Sequence, residues 1–218
     1  MKPIIFCDFD GTITNSDNII AIMKEFAPEG WESIKDDVLS QKVSISEGVG
    51  KMFSLLDSGL EQDIIEFVKS SAVIRDGFRE FVAFARQNSI PLYVVSGGID
   101  FFIEPLLENI LDLDLLYCNK GVFEQENIKI EWPNSCDDQC QNGCGCCKPS
   151  IMRKLSEADT YKIVIGDSIT DFEAAKEADL VLARDFLTEK CMEEGISYQP
   201  FQTFFDCINI LKLKLEAA

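Results

Sequence analysis

The chain has 218 residues, of which 46% are hydrophobic, so it can bury the core of one domain or of a core with a smaller inserted domain. Acidic residues outnumber basic residues 38 to 20, and the net charge of −18 argues against nucleic acid and anionic membranes as partners. The chain has no histidine, which excludes Ser-His-Asp hydrolysis and every histidine-ligated metal site.

The N-terminal sequence shows no pattern of a targeting segment. Met1-Lys2-Pro3 leads directly into a strand that is too short for the apolar region of a signal peptide. No apolar run approaches the ~18 residues that a membrane span requires. We therefore expect a cytoplasmic protein without a membrane partner.

The first predicted strand begins at Ile4, is about six residues long and ends in Asp8 and Asp10, which are followed by Gly11 and Thr12. Strand alternation puts residues i and i+2 on one face, so the two carboxylates converge where the strand opens into a loop. Close carboxylates repel unless one is protonated or a cation lies between them, and Mg²⁺ suits an all-oxygen site. A plain strand-to-turn junction is the alternative, because Asp and Gly are common turn residues.

Residues 15–74 show helical patterns and nothing typical of a buried parallel strand. Asn15-Ser16-Asp17-Asn18 is a cluster of helix N-cap residues, and apolar residues then recur at helical spacing up to Phe26. Further helical patterns cover residues 31–39, 44–56 and 60–70. We interpret this segment as a helical insertion, a small lid domain between core segments 1–14 and 75–218.

From Arg75 onward the pattern is that of an α/β protein. Short apolar runs rich in β-forming residues alternate with helical patterns, which predicts a parallel sheet. Predicted strands cover residues 90–95, 115–119, 161–165 and 180–183, with a hairpin near residues 122–130. Predicted helices cover residues 78–87, 100–111 and 172–178, one follows Lys148, and the C-terminal third of the chain after residue 183 is predicted to be helical.

Polar residues follow three of these strands. They are Asp8 and Asp10, then Ser96, then Asp167 with Asp171, and sites in open α/β sheets form outside the carboxyl ends of the strands. Each signal also has an ordinary structural explanation, since Ser96-Gly97-Gly98 suits a tight turn and Gly166-Asp167 a helix cap. Lys148, just before a helix, suits a solvent-exposed lysine.

The order of these motifs, D-x-D-G-T, S-G-G, K and G-D-S-x-T-D, resembles the haloacid dehalogenase-like phosphatases over residues 3–183. The resemblance implies a Rossmannoid parallel sheet with an inserted helical type-1 cap, as in the phosphoserine phosphatase branch. Shorter segments, above all Cys-Gly-Cys-Cys-Lys-Pro-Ser, resemble a methionine-salvage branch of that family. The implied activity is Mg²⁺-dependent hydrolysis of a small phosphorylated metabolite, the enol phosphate of methionine salvage.

The resemblance also implies a role for each acidic residue of the motifs. Asp8 is expected to be the nucleophile that forms an aspartyl-phosphate, and Asp10 the general acid and base. Mg²⁺ is expected to bind the Asp8 carboxylate, the Asp10 carbonyl and Asp167, while Asp171 supports those ligands. The phosphoryl oxygens are then expected to be held by Thr12, Ser96, the Gly97 amide and Lys148.

Substrate choice is expected to depend on the cap. In the phosphoserine branch a Glu at the position of Asp17 meets the substrate amine, and a cap Arg meets its carboxylate. In an ungapped comparison Met52 replaces that Arg. Met cannot pair with a carboxylate but packs against thioether and alkyl groups, which is compatible with a methylthio-bearing substrate. The alternative is that Met52 is part of the hydrophobic core of the cap.

Five of the nine cysteines lie within residues 136–147. In a cytosolic chain, clustered cysteines indicate a metal before a disulfide. Cys136, Cys140, Cys144 and Cys146 are candidate ligands of a structural Zn²⁺, although their spacing meets the usual C-x2-4-C pattern only loosely. A disulfide or redox role and reduced loop cysteines stay open as alternatives. In each case the loop leads into Lys148.

Two other functions are compatible with the sequence. One is a phosphatase of the same fold that acts on phosphoserine or a sugar phosphate. The other is a non-catalytic, metal-sensing protein that keeps the fold and uses the cysteines. The presence of both Asp8 and Asp10 argues against the second, because a binding module has no need of the two aspartates.

Overall fold

A seven-stranded sheet lies at the centre of the computed structural model, which describes residues 2–216. The strands are β1 (Lys2–Cys7), β2 (Leu92–Ile99), β3 (Leu116–Val122), β4 (Lys129–Glu131), β5 (Thr160–Gly166), β6 (Leu180–Ala183) and β7 (Tyr198–Pro200). Their order in the sheet is β4-β3-β2-β1-β5-β6-β7. β4 runs antiparallel to β3, and the other neighbouring strands are parallel, which confirms the predicted α/β class.

The central strand, β1, has a neighbour from each half of the sheet. Cys7 at its carboxyl end pairs with Val94 of β2 on one side and with Ile165 of β5 on the other. The chain builds β2 and β3 outward in one direction, then returns to build β5, β6 and β7 in the other. Open α/β sheets bind ligands where the strand order reverses, so the end of β1 is the expected location of a site.

The helices are α1 (Asn18–Phe26), α2 (Trp31–Leu39), α3 (Ile45–Phe53), α4 (Glu61–Ser71), α5 (Phe78–Gln87), α6 (Asp100–Leu107), α7 (Lys148–Leu155), α8 (Phe172–Lys176), α9 (Asp185–Glu193) and α10 (Phe204–Glu216). The first four lie where the sequence predicts helices, in segment 15–74, which is fully described and contributes no strand to the sheet. Its division from the core as a separate cap domain stays a prediction. None of the described helices combines the length and the apolar character needed to cross a membrane.

Helix α1 illustrates how the sequence starts a helix of the insertion. The Asp17 carboxylate accepts a hydrogen bond from the Ile20 amide at 3.0 Å, which satisfies one of the free amides of the first turn. Ile19, Ile22 and Met23 are buried on one face of the helix. The N-cap predicted from the polar cluster is therefore confirmed.

The two connections between the sheet and the insertion lie side by side. Thr14 and Ile74 form an antiparallel bridge. The Asn15 amide donates to the Val73 carbonyl at 3.0 Å, and the Arg75 amide donates to the Ile13 carbonyl at 2.7 Å. The chain therefore leaves and re-enters the core at one place.

The structure differs from the prediction in three elements. Strand β2 continues through Ser96, Gly97 and Gly98 to Ile99 instead of ending at residue 95, because its pairing with β3 resumes at Ile99 after a register shift. Helix α6 ends at Leu107, four residues earlier than predicted. Strand β7 is not predicted from the sequence; it is a three-residue edge strand that ends in Pro200, too short for periodicity to reveal.

Candidate active site at the carboxyl ends of β1 and β5

Asp8 is fixed at the first position after β1. Its amide donates to the Ile165 carbonyl of β5 at 2.9 Å, so the backbone still follows the sheet. One carboxylate oxygen accepts from the Phe9 amide at 2.7 Å, and the other lies 2.9 Å from the Lys148 ammonium. The side chains of Asp8 and Lys148 are each 6% exposed, which places a charged pair inside the protein.

Three carboxylates converge at this point. Oxygens of Asp8, Asp167 and Asp171 all lie within 4.8 Å of one another. Asp167, the first residue after β5, accepts from the Thr12 hydroxyl at 2.6 Å. One oxygen of Asp171 lies 2.5 Å from the Lys148 ammonium, and its other oxygen accepts from the Asp167 and Ser168 amides. We call Asp8, Asp167 and Asp171 the carboxylate cluster.

Burial and mutual repulsion set the charges of this cluster. Burial, followed by the negative charge of Asp171, raises the pKa of Asp8 well above its usual value. The same two causes raise the pKa of Asp167 to about 6. Burial alone would lower the pKa of Lys148, but the charges of Asp171 and Asp8 outweigh it and raise that pKa. The raised pKa values show that one ammonium is not sufficient to keep all three carboxyl groups ionised, and a divalent cation would favour their ionised forms.

Gly11 makes room for the carboxylate cluster. Its backbone has φ of +79°, a conformation that favours glycine. A Cβ at this position would lie 2.3 Å from a carboxylate oxygen of Asp167. The Gly of the D-x-D-G-T motif is therefore required by the close approach of the loop to Asp167 as well as by the turn.

Asp10 lies in the same loop but has different neighbours. One of its carboxylate oxygens accepts from the Asn18 amide at 3.0 Å and from the Asn18 side-chain nitrogen at 2.6 Å. The other faces β2, since a Cβ on Gly98 would lie 2.8 Å from it. Burial, then the charge of Asp17, raises the pKa of Asp10 to about 7. A carboxyl group with such a pKa can both donate and accept a proton near neutral pH.

Ser96 lies inside the extended part of β2 and is completely buried. Its hydroxyl oxygen accepts from the Gly98 amide at 3.0 Å. The carbonyl of Gly97 accepts from the side-chain nitrogen of Asn119, in the middle of β3, at 2.8 Å. The backbone of the S-G-G motif is thus held by its own serine and by the neighbouring strand.

The sequence suggests Asp17 and Met52 as contacts of the substrate. Both lie outside the hydrogen bonds and ion pairs described above. Asp17 is exposed and caps α1. Met52 is 4% exposed and belongs to the main hydrophobic core, together with Val49 and Phe53 of the same helix. The packing alternative for Met52 accounts for this placement, and a contact of Met52 or Asp17 with substrate stays a prediction.

Sequence reasoning missed three residues that hold the site in place. Asn18 and Asn119 bind Asp10 and Gly97 as described above. Arg75, which is buried, donates to the carbonyls of Thr12 and Gly11 at 2.7 Å each, and to a third loop carbonyl. Asn18 was visible in the N-cap cluster. Arg75 and Asn119 gave no signal because their partners are backbone carbonyls distant in sequence.

The cysteine-rich loop forms a second group of potential ligands. Cys136, Cys140, Cys144 and Cys147 have sulfur atoms within 4.8 Å of one another. The predicted fourth member, Cys146, is not among them; its thiol instead lies 3.5 Å from the Tyr117 carbonyl. The loop thus brings together three of the four predicted cysteines and substitutes Cys147 for Cys146.

Comparisons with known proteins agree with this geometry. The family model of the haloacid dehalogenase-like hydrolases matches residues 5–176. This chain belongs to the haloacid dehalogenase-like hydrolases. The match spans β1 with Asp8, β2 with Ser96, Lys148 of α7 and β5 with Asp167.

Relatives within the haloacid dehalogenase-like hydrolases are similar over nearly their whole length. A 2-hydroxy-3-keto-5-methylthiopentenyl-1-phosphate phosphatase of Geobacillus kaustophilus (strain HTA426) is 59% identical over 96% of this chain and 95% of its own. A protein of the same name from Bacillus cereus (strain B4264) is 55% identical over 99% of both chains.

Solved structures share the fold at lower identity. A phospho-aspartyl intermediate analogue of phosphoserine phosphatase has a TM-score of 0.70 at 22% identity, with 97% of this chain and 98% of that chain covered. Phosphoserine phosphatase from T. onnurineus has a TM-score of 0.72 at 18% identity, with 97% and 95% covered. At such identities the likeness concerns the haloacid dehalogenase-like fold alone.

Proposed function

We propose that this protein is the phosphatase that hydrolyses 2-hydroxy-3-keto-5-methylthiopentenyl-1-phosphate in methionine salvage. The observation that carries the phosphatase assignment is the placement of Asp8 between Lys148 and the other two members of the carboxylate cluster, at the reversal of strand order. The substrate is supported by relatives of that name with 59% and 55% identity over at least 95% of each chain.

In this proposal Asp8 is the nucleophile. Its carboxylate oxygen attacks phosphorus, the bond between phosphorus and the ester oxygen breaks, and an aspartyl-phosphate forms on Asp8. Asp10 gives its proton to the leaving oxygen. In the second half Asp10 takes a proton from water as the water oxygen attacks phosphorus. The bond between phosphorus and the Asp8 oxygen breaks, which releases inorganic phosphate and regenerates the Asp8 carboxylate. The hydrogen bonds from Asn18 hold Asp10 in place for both transfers.

The donor set fits Mg²⁺, which the haloacid dehalogenase-like family implies. The carboxylates of Asp8 and Asp167 and the Asp10 carbonyl would be its protein ligands, since hard oxygen donors suit this ion. Asp171 suits a supporting role, because both its oxygens already accept hydrogen bonds. When bound, Mg²⁺ would offset negative charge on the phosphoryl oxygens and fix their orientation.

Phosphate binding requires local positive potential in a chain whose net charge is −18. Lys148, buried beside Asp8, supplies a positive charge, because the neighbouring carboxylates keep its ammonium group protonated. Ser96 and the Gly97 amide are the proposed neutral donors to the phosphoryl oxygens. Thr12 would join them only if its hydroxyl turned away from Asp167, to which it donates in this structure. Asn119 and Arg75 support phosphate binding indirectly. Their side chains donate to backbone carbonyls, Asn119 to that of Gly97 and Arg75 to that of Thr12, and so hold these segments in place.

A substrate panel tests the proposal. The full-length protein with Mg²⁺ is assayed on the methylthiopentenyl enol phosphate, phosphoserine, a sugar phosphate and p-nitrophenyl phosphate. We expect kcat/KM to be highest for the enol phosphate by about 100-fold, the factor that a few kcal/mol of pocket contacts provides. Faster hydrolysis of phosphoserine would overturn the substrate while leaving the phosphatase assignment intact.

The nucleophile is tested separately with Asp8→Asn, which keeps the side-chain shape. We expect kcat to fall at least ~10³-fold, as losses of catalytic nucleophiles do, with an unchanged circular dichroism spectrum. Asp63→Asn, an exposed residue in the first turn of α4, is the matched control and should keep wild-type turnover. Turnover by Asp8→Asn near the control value would rule out Asp8 as the nucleophile.

A further inference from the structure

The cysteine-rich loop between β4 and α7 holds four sulfur atoms at a spacing that suits a metal. We call Cys136, Cys140, Cys144 and Cys147 the four-cysteine cluster, whose sulfurs lie within 4.8 Å of one another. The sulfurs of Cys140 and Cys144 are 3.8 Å apart. Four thiolates arranged tetrahedrally around zinc, each ~2.3 Å from it, lie about 3.8 Å from one another.

The spacing along the chain agrees once Cys147 is the fourth member. The run reads C-x3-C-x3-C-x2-C, so each interval falls within the C-x2-4-C range of structural zinc sites. With Cys146 the last interval would be a single residue. Gly143 and Gly145, at φ of +61° and +77°, turn the chain on both sides of Cys144. These two turns help to bring the four sulfur atoms close together, although the cysteines are spread along the loop.

The surroundings of the sulfurs also suit thiolates. The Ser150 hydroxyl donates to the Cys147 sulfur at 2.9 Å, and the Cys144 amide lies 3.5 Å from the Cys136 sulfur, which accepts from it. Donors of this kind orient and stabilise metal-bound thiolates. A disulfide would require a sulfur–sulfur distance near 2.05 Å, and the cysteines of the described residues are all free.

Cys146 is occupied elsewhere. Its side chain is 3% exposed and packs with Phe6, Val95 and Ile151 in a hydrophobic cluster on one face of the sheet. Its thiol lies 3.5 Å from the Tyr117 carbonyl, which accepts from it. Adjacent cysteines therefore have separate environments, one in the apolar core and one among the other sulfurs.

We propose that the four-cysteine cluster binds one structural zinc ion as four thiolates, each releasing its proton. Four protein ligands close the coordination sphere, so the site has no open position for catalysis. Soft sulfur ligands prefer zinc, whereas the carboxylate cluster prefers Mg²⁺, so the two sites select different metals. This inference is independent of the proposed substrate.

The position of the cluster indicates what the ion would stabilise. The Gly143 carbonyl accepts from the Ser46 amide in α3 at 3.0 Å, which joins the loop to the helical insertion. At its other end, Cys147 immediately precedes Lys148, whose ammonium contacts Asp8. Zinc would thus fix the loop that connects the insertion to the lysine of the candidate active site.

Elemental analysis of the full-length protein, purified under reducing conditions without added metal, tests the proposal. We expect one zinc per chain in wild type and less than about 0.2 in Cys140→Ser and Cys144→Ser, because loss of one thiolate weakens a closed site severely. Cys146→Ser is the matched control and should keep its zinc. Asp167→Asn should keep it too, which excludes zinc held by the carboxylate cluster.

Cobalt binding gives a second measurement that does not depend on how the serine variants fold. Wild-type protein stripped of metal under reducing conditions is titrated with Co²⁺, whose thiolate complexes absorb strongly in a tetrahedral site. One equivalent with thiolate charge-transfer bands, displaced by zinc, is expected. Three results would overturn the proposal: no such bands, equal zinc loss in Cys146→Ser and Cys144→Ser, or a reduced chain that neither contains nor takes up zinc.

Discussion

Lys148, which contacts the carboxylate cluster, directly follows Cys147 of the four-cysteine cluster, but the two clusters are built in different ways. Asp8 and Asp167 directly follow β1 and β5, which pair over six residue positions from Lys2–Thr160 to Cys7–Ile165. All four cysteines come from one loop that contains no helix or strand. Strands of the sheet position the oxygen ligands, whereas the turns and hydrogen bonds of one loop position the sulfur ligands.

This difference separates what each metal should do. Loss of Mg²⁺ from the carboxylate cluster should abolish turnover and leave the strands unchanged. Loss of zinc from the four-cysteine cluster should loosen the loop and act on chemistry only through Lys148. Variants that change one cluster and spare the other therefore test the comparison.

The largest effect is expected for Lys148→Met. The change leaves the carboxylates of Asp8 and Asp171 buried and unpaired, which should cost about 3 kcal/mol of unfolding free energy in the absence of Mg²⁺. Mg²⁺ should restore more stability to this variant than to wild type, because it supplies the missing charge. Thermal unfolding with and without Mg²⁺ measures both, and kcat/KM should fall about 100-fold.

Lys154→Met is the matched control for that experiment. Lys154 lies on the same helix, α7, but is exposed and contacts neither cluster. We expect wild-type turnover and an ordinary response to Mg²⁺. Equal stabilisation of both variants by Mg²⁺ would contradict the pairing of Lys148 with the carboxylate cluster, and zinc content should stay the same in both.

A smaller but more specific effect is expected for Gly11→Ala. The new Cβ would lie 2.3 Å from an Asp167 oxygen, so Asp167 has to move and Mg²⁺ affinity should fall about tenfold or more. Gly30→Ala has the same backbone cost, at φ of +98°, but meets no atom within 4 Å. Gly30→Ala should lose about 1 kcal/mol of unfolding free energy through its backbone conformation alone, and Gly11→Ala should lose more because its Cβ displaces Asp167. Only Gly11→Ala should require more Mg²⁺ for half-maximal turnover; equal requirements would contradict this role of Gly11.

The smallest effect is expected for Asp206→Asn, whose carboxylate has hydrogen bonds with Gln202 and Thr203 and with no member of either cluster among the described residues. Amides of Gln202 and Thr203 donate to the Asp206 carboxylate at 3.0 and 2.8 Å at the start of α10, and they lower its pKa. A lowered pKa in the folded state adds stability above the unfolded value of about 3.9 and loses it as the pH falls through the folded value. Urea unfolding should show a deficit below about 1 kcal/mol at pH 7, since the group is half-exposed, shrinking towards pH 3.

Turnover and zinc content are the controls for Asp206→Asn, and both should equal those of wild type. A deficit that stays constant from pH 7 to pH 3 would show that the charge of Asp206 is not the cause. The variant thus shows how much unfolding free energy the protein can lose without a change in turnover or zinc content.

The sequence predicts the carboxylate cluster far better than the four-cysteine cluster, for a physical reason. Strand alternation and strand ends fix where Asp8 and Asp167 lie, so motif order and periodicity are sufficient. Within an irregular loop no periodicity tells which of Cys146 and Cys147 faces the other sulfurs. That choice depends on the burial of Cys146 against Phe6, which only the three-dimensional packing reveals.

Other parts of the fold could not be predicted for similar reasons. The contacts of Arg75 and Asn119 are with backbone carbonyls that carry no residue-specific pattern. Extension of β2 through two glycines depends on pairing with β3, which is a tertiary interaction that overrides local preference. The helices of segment 15–74, by contrast, follow from N-caps and apolar spacing.

The bridge between Thr14 and Ile74 has a consequence for the kinetics of folding. β1 can pair with β2 only after the chain between them closes into a loop, and that chain includes the whole insertion. If the insertion forms first, its adjacent ends shorten the effective loop roughly threefold. The entropic cost of closing the loop then falls by about 1 kcal/mol. Because long-range pairing limits the folding rate of such sheets, early formation of α1–α4 should accelerate assembly of the strands that carry Asp8 and Ser96.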